Sequence, residues 1–175
     1  MKMNRFLVLV GMVFAVALTR LIPHPANFAP IVAVALFGGA CFDKKRTALL
    51  VTFGALLLSD LLIGFYPDLP VVYLAYLLVL GLGFRLKDQR KWLPVAGSTL
   101  ASSILFFIVT NFGVWAFQPI YPKTVAGLTA CYIAAIPFFP NTLVGDALYV
   151  TLLFGGFALA ERKFNILKEP LSVAS

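Results

Sequence analysis

The chain has 175 residues, 61% hydrophobic and 12% charged, with a net charge of +7 and a mean hydropathy of +0.96. A soluble domain is about 45–50% apolar and roughly 25% charged, and seven acids with fourteen bases are too few and too clustered to coat a water-soluble globule. The bases fall in short loops between apolar runs rather than along one face, which argues against a nucleic-acid partner and reads as the positive-inside pattern of a multi-pass membrane protein in the lipid bilayer.

The apolar runs predict six transmembrane helices in a single domain covering 1–175. The first span, Phe6 to Leu21, follows Lys2 and Arg5, which places the N-terminus in the cytoplasm. The second runs from Ala29 to Phe42 and ends at Asp43-Lys44-Lys45-Arg46; the third, Thr47 to Phe65, ends at Tyr66-Pro67-Asp68-Leu69-Pro70. Val71 to Leu86 is the fourth, and Arg85, Lys87, Arg90 and Lys91 return the chain to the cytoplasmic side. Trp92 to Phe117 is the fifth, and Asn141 to Ala160 is the sixth, closing at Glu161-Arg162-Lys163.

Charge parity decides the two doubtful segments. The second span, about fourteen residues at roughly 1.5 Å each, is shorter than the ~30 Å hydrocarbon core. Without it, Lys44-Lys45-Arg46 and the Arg85 to Lys91 cluster would lie outside. The apolar segment Val125 to Phe139 contains Pro137 and is followed by Pro140; if it crossed on its own, Arg162, Lys163 and Lys168 would lie outside. It is therefore expected as a re-entrant or interfacial helix over the outer mouth, leaving both termini cytoplasmic and Arg20 and Lys123 as the outward bases.

Lys2, Arg5, the apolar run Phe6 to Leu18 and Ala15-Val16-Ala17 also fit a secretory signal, whose cleavage would remove a helix the bundle needs. The expected bilayer separates Cys41 from Cys131, so no disulfide is expected. The chain carries no GxxxxGK[ST], GxSxG or HExxH, hence no expected cofactor, metal or enzymatic activity.

Polar residues inside apolar spans carry the functional signal, because an ionisable group in hydrocarbon costs about 2.5–3.5 kcal/mol and is paired or functional. Arg20, Asp60, Asn111 and Asp146 come from four different spans to one depth in the outer half. Arg20 neutralising both carboxylates in one buried network is the structural alternative. His24 lies between two prolines in the run Arg20 to Pro30, a loop that Pro23, Pro25 and Pro30 stiffen; it is either a solvent-facing residue or a ligand contact. Asn27 belongs to the same loop. Asn141 fits the N-cap of the last span, Cys131 a packed apolar residue, and Trp115 and Tyr121 either an interfacial belt or pocket walls. Gly11-x-x-x-Ala15, Ala35-x-x-x-Gly39 and Gly97-x-x-x-Ala101 mark candidate helix contacts.

The runs RLIPHPANFAPIVAVALFGGACF, LLLSDLLIGFYPDLP, TNFGVWAF and YPKTVAGLTACYIAAIPFFPNTLVGDALY resemble a family of small bacterial six-span proteins assigned to transport without an established function. That family is similar to the S components, the substrate-binding subunits of energy-coupling factor vitamin transporters. The resemblance implies a subunit of the bacterial cytoplasmic (inner) membrane that captures a vitamin or related micronutrient through its first, third and fifth outer loops. It also implies delivery through a transmembrane coupling subunit with ATPases. S components often dock through Ala-x-x-x-Ala on the first helix, where this chain has Gly11-x-x-x-Ala15.

The expected function is thus membrane transport of a small-molecule substrate, with Arg20, His24, Asn27, Asp60, Asn111, Trp115, Tyr121, Cys131, Asn141 and Asp146 as candidate binding residues. A corrinoid is conceivable, since cobalt accepts imidazole or thiolate from His24 and Cys131. The rivals are a stand-alone proton-coupled carrier using Asp60 or Asp146, and a non-transporting membrane scaffold or assembly protein.

Overall fold

The computed structural model describes residues 4–87 and 89–167. Lys2 and Lys168, counted above among the orienting bases, lie outside the described residues. The protein is all-helical, 81% helix with no strand among the described residues. Helix α1, Arg5–Leu18, opens on Asn4, whose side chain accepts from the Phe6 amide, and tightens into a 3-10 turn at Thr19–Leu21. α2 is Ile31–Cys41, α3 Lys45–Ile63, α4 Leu69–Arg85 and α5 Trp92–Phe117. Gly64, at φ 102°, ends α3 in a backbone region that side chains rarely adopt, and Pro70 sits in the first turn of α4, where its missing N–H is no loss.

The short second helix turns out to be the axis of the bundle. Every residue from Val32 to Cys41 is buried, as expected for a helix that is apolar on all sides. α1, α3, α4, α5 and the last helix surround it. Its closest neighbour is α4: a Cβ on Gly39 would lie 2.6 Å from the Leu80 carbonyl oxygen, and one on Gly83 would lie 2.6 Å from that of Leu36. Of the three small-residue motifs, Ala35-x-x-x-Gly39 thus makes a backbone-to-backbone crossing. Gly11 and Gly97 have open space where a side chain would begin.

The end of the chain differs from expectation. α6, Val125–Ala135, is capped by the Thr124 hydroxyl accepting from Gly127 and passes through a 3-10 turn, Ile136–Phe138, into α7, Phe139–Val150. A π-helical turn, Thr151–Gly155, links α7 to α8, Gly156–Lys163. Asn141 is therefore inside the first turn of α7 rather than its N-cap. Pro140 is accommodated at the helix start, and the preceding 3-10 turn carries the chain in without a side-chain cap.

Nor does α6 lie over a mouth as a separate re-entrant helix. The segment Val125–Lys163 is one helical stretch of 39 residues, about 58 Å if straight and α-helical throughout. Contacts of this segment and of the loop before it descend α5 and the residues before it in order. Trp115 Nε1 donates to Pro122 O, Tyr132 OH to Ile108 O, and Ser103 Oγ to Asp146; Arg90 pairs with Glu161 at the far end. α6 and α7 thus run along α5, antiparallel to it, and α8 continues to the basic end, where Glu161 meets Arg90.

Three helical stretches, α3, α5 and Val125–Lys163, are long and apolar enough to cross a membrane. Their outward faces carry large apolar side chains, with Leu50 70% and Phe117 75% exposed; a water-facing protein rarely shows apolar patches on this scale. One end of the bundle gathers Arg5, Lys44, Lys45, Arg46, Arg85, Lys87, Arg90, Lys91, Arg162 and Lys163. There Arg5 pairs with Asp43 at 3.1 Å and Lys87 donates to Asp43 O. The opposite end holds Arg20, Lys123, Asp60, Asp68 and Asp146.

A candidate binding cavity beside the N-terminus of α2

Eleven residues give α2 a length of about 16 Å, while its neighbours α3, α4 and α5 run for 19, 17 and 26 residues. The axis of the bundle is therefore not filled to its acidic end. The loop before α2 and a cavity of about 310 Å³ occupy the remainder. The cavity walls come from that loop (Asn27, Ala29), α2 (Ile31, Val32), the α3–α4 loop (Tyr66, Asp68), α4 (Val72), α5 (Phe106, Phe107, Thr110, Asn111, Val114) and α7 (Thr142, Asp146). A recess of about 370 Å³ opens at the basic end between Arg5, Phe42, Asp43 and Lys44. Its charges already answer one another through the Arg5–Asp43 pair, whereas the first cavity has apolar walls and convergent polar groups, the usual materials of a ligand site.

The loop is held over the cavity at two points. Asn141 Nδ2 donates to Ala26 O at 3.1 Å, and Phe28 packs on Gly145, where a Cβ would meet its ring at 3.3 Å, and edge-on against Tyr149. Between these anchors Asn27 adopts φ 62°, a left-handed conformation that asparagine tolerates better than most residues. Across the cavity Asp68 accepts a hydrogen bond from Gln118 Nε2, tying the α3–α4 loop to the end of α5. Its other oxygen, Oδ1, is buried without a hydrogen-bond partner. Burial, and then the nearby Asp60 charge, push the Tyr66 phenol above its usual pKa, so it stays a neutral wall group.

The four converging polar residues fall into two clusters rather than one network. Arg20 Nη2 reaches Asp60 Oδ1 at 2.6 Å, Nη1 donates to Ser59 Oγ, and Tyr73 OH donates to Asp60 Oδ2 at 2.8 Å. Side-chain exposure is 7% for Arg20 and 0% for Asp60, so this pair braces α1, α3 and α4 and contributes nothing to the cavity lining. Asp146 stands outside the single Arg20 network of the structural alternative. It is 1% exposed, and among the described residues it pairs with Ser103 Oγ at 2.5 Å and with no cation.

The remaining candidates are distributed unevenly. Asn27, Asn111 and Asp146 line the cavity. Asn141 supports it through the loop. His24 is an exposed loop residue with Nδ1 3.0 Å from Pro25 O. Cys131 is buried behind α5, its thiol 3.4 Å from Asn111 O. Trp115 holds Pro122 O and lies under Lys123, while Tyr121 is half-buried in the same loop and lines nothing. The structure thus does not bring His24 and Cys131 to a shared metal position. The sequence offers Tyr66 as a member of the interfacial aromatic belt and Thr142 as part of an N-cap with Asn141, and it does not single out Asp68, Thr110 or the Phe106–Phe107 wall for the site. Asp68 had a visible signal, the acid of the α3–α4 loop, which is otherwise free of charge; the phenylalanines had none beyond apolarity.

Residues 1–169 match the Family of unknown function (DUF6580), and the chain belongs to that family. No curated protein and no solved structure matches it.

Proposed function

We propose that this member of a family without an assigned activity is a membrane transport protein of the S-component kind, which binds a small molecule from outside a bacterial cytoplasmic membrane. The observation that carries the reading is the cavity of about 310 Å³ at the N-terminus of α2, with apolar walls and two carboxyl groups, inside a bundle whose outer surface is apolar. Its volume lies near the lower end of ligand sites, roughly 300–1,000 Å³, which favours a compact ring system over a corrinoid.

In this reading the chain crosses six times. α1 to α5 each cross once and α6 to α8 cross together, which puts the ten bases of one end in the cytoplasm and the cavity on the outer side. Short α2 crosses inside a sheath of protein and needs no lipid-matching length. Substrate delivery falls to a transmembrane coupling subunit with ATPases. Mass spectrometry of small molecules released after gentle purification from the native membrane tests the reading. One stoichiometric ligand is the expected result; an empty protein that also binds no offered solute would refute it.

A second reading, a stand-alone proton-coupled carrier, is favoured by one detail. Ser103 Oγ is within hydrogen-bond distance of both Thr99 O, at 3.0 Å, and Asp146 Oδ2, at 2.5 Å, yet a hydroxyl has one proton. When that proton points to Thr99, Asp146 must supply its own, so the pair accommodates both a charged and a neutral carboxyl. Ionophore-sensitive uptake into vesicles lacking ATP would select this reading.

A further inference from the structure

Resting on the binding reading, we infer that the ligand of this cavity is a small organic cation, a protonated amine, amidine or charged heterocycle that donates hydrogen bonds. Charge is the first ground. Asp68 and Asp146 line the cavity, and no Lys, Arg or His is among its lining residues. Arg20 is committed to Asp60. Gln118 gives Asp68 a neutral amide and Ser103 gives Asp146 a neutral hydroxyl. The N-termini of α2 and of α4, whose N-cap is Asp68, contribute about half a positive unit charge each, less than two ionised carboxylates carry.

The donor and acceptor inventory points the same way. Asn111 spends one of its two amide N–H groups on Phe107 O and keeps the other, and Thr110 spends its hydroxyl proton on Phe106 O. Each side chain is left with accepting lone pairs at the cavity. Among the described residues, Asp68 Oδ1 is buried and receives no hydrogen bond, and Ser103 alone donates to Asp146. A buried acceptor without a donor carries a desolvation penalty that only a donor in the cavity removes. Phe106, Phe107 and Tyr66 put aromatic rings in the walls, and aromatic rings attract cations over their faces. An anionic ligand would meet like charges, and a neutral acceptor would leave these oxygens unanswered.

The test uses the full-length protein in nanodiscs with three probes of one shape: benzamidinium, benzamide and benzoate. Benzamidinium is expected to bind about tenfold to a hundredfold more tightly than benzamide, the range of a charge-assisted hydrogen bond, with benzoate weakest. That preference collapses toward unity in the isosteric double variant Asp68→Asn, Asp146→Asn. The molecule released from natively purified protein is expected to be positively charged. A stoichiometric neutral or anionic ligand, or benzamide binding as tightly as benzamidinium, overturns the cation assignment and leaves the binding reading standing. Release of nothing together with no binding of any probe overturns both.

Discussion

The Arg20–Asp60 pair gives the sharpest test of how charge is used in this bundle. Asp60 is fully buried and accepts two hydrogen bonds, from Arg20 at 2.6 Å and Tyr73 at 2.8 Å. Replacing Arg20 by Met leaves a buried carboxylate with one neutral donor. Replacing Asp60 by Leu leaves a guanidinium facing Ser59, the Leu56 carbonyl and the Tyr66 phenol, none of them charged. Breaking a buried pair from one side costs about 3–5 kcal/mol, so independent effects would sum to roughly 6–10 kcal/mol. The double variant removes both charges and forfeits mainly the hydrogen bonds to Ser59 and Tyr73, about 1 kcal/mol each. A coupling of about 4 kcal/mol or more is therefore expected, measured by denaturant titration in mixed micelles with Trp92 and Trp115 fluorescence as the signal. Because neither residue lines the cavity, the double variant should still retain bound ligand. A double variant as unstable as the two singles combined would refute the reasoning.

Asp146→Asn should change stability by no more than about 1 kcal/mol, since the amide keeps a partner in Ser103 and replaces a carboxyl that has no cation beside it among the described residues. Ligand retention on purification should fall at least about tenfold. Gly39→Ala should lower stability by about 2–3 kcal/mol, because its Cβ meets the Leu80 carbonyl oxygen at 2.6 Å and backbone must yield; thermal unfolding in detergent reads this. Asn27→Gly should be nearly neutral and Asn27→Ala should cost about 1 kcal/mol in the same assay, as the φ of 62° demands. With Cys41 and Cys131 replaced by Ala, a cysteine at Lys123 should react with an impermeant thiol reagent from outside intact cells. One at Lys44 should react only after permeabilisation.

Much of the architecture could be read along the chain because bilayer chemistry writes it locally. α5 begins and ends at Trp92 and Phe117, as its apolar run and flanking polar residues require. The last helix could not be read so closely. Pro137 and Pro140 look like breaks, yet each lies at a helix or 3-10 start that tolerates a missing N–H, so the chain passes through them. The candidate site was half legible. A lone Asp146 or Asn111 in an apolar run declares itself by its solvation cost. Whether Arg20 answers Asp60, Asp146 or both depends on which helices are neighbours, which no spacing reveals.

The sequence by itself determined helix content, the apolar exterior, the segregation of bases to one end and the membership of polar residues in apolar runs. Those properties follow from residue-by-residue transfer between water and hydrocarbon, a local quantity. Tertiary structure alone decided that the shortest helix is the central one, and hence that a cavity remains beyond its N-terminus. It also decided that Arg20 is consumed by Asp60 while Asp68 and Asp146 line that cavity with no cation beside them among the described residues. Close approach of Gly39 and Gly83 sets these outcomes by fixing α2 against α4, and packing between distant segments is a property of pairs that no single stretch encodes.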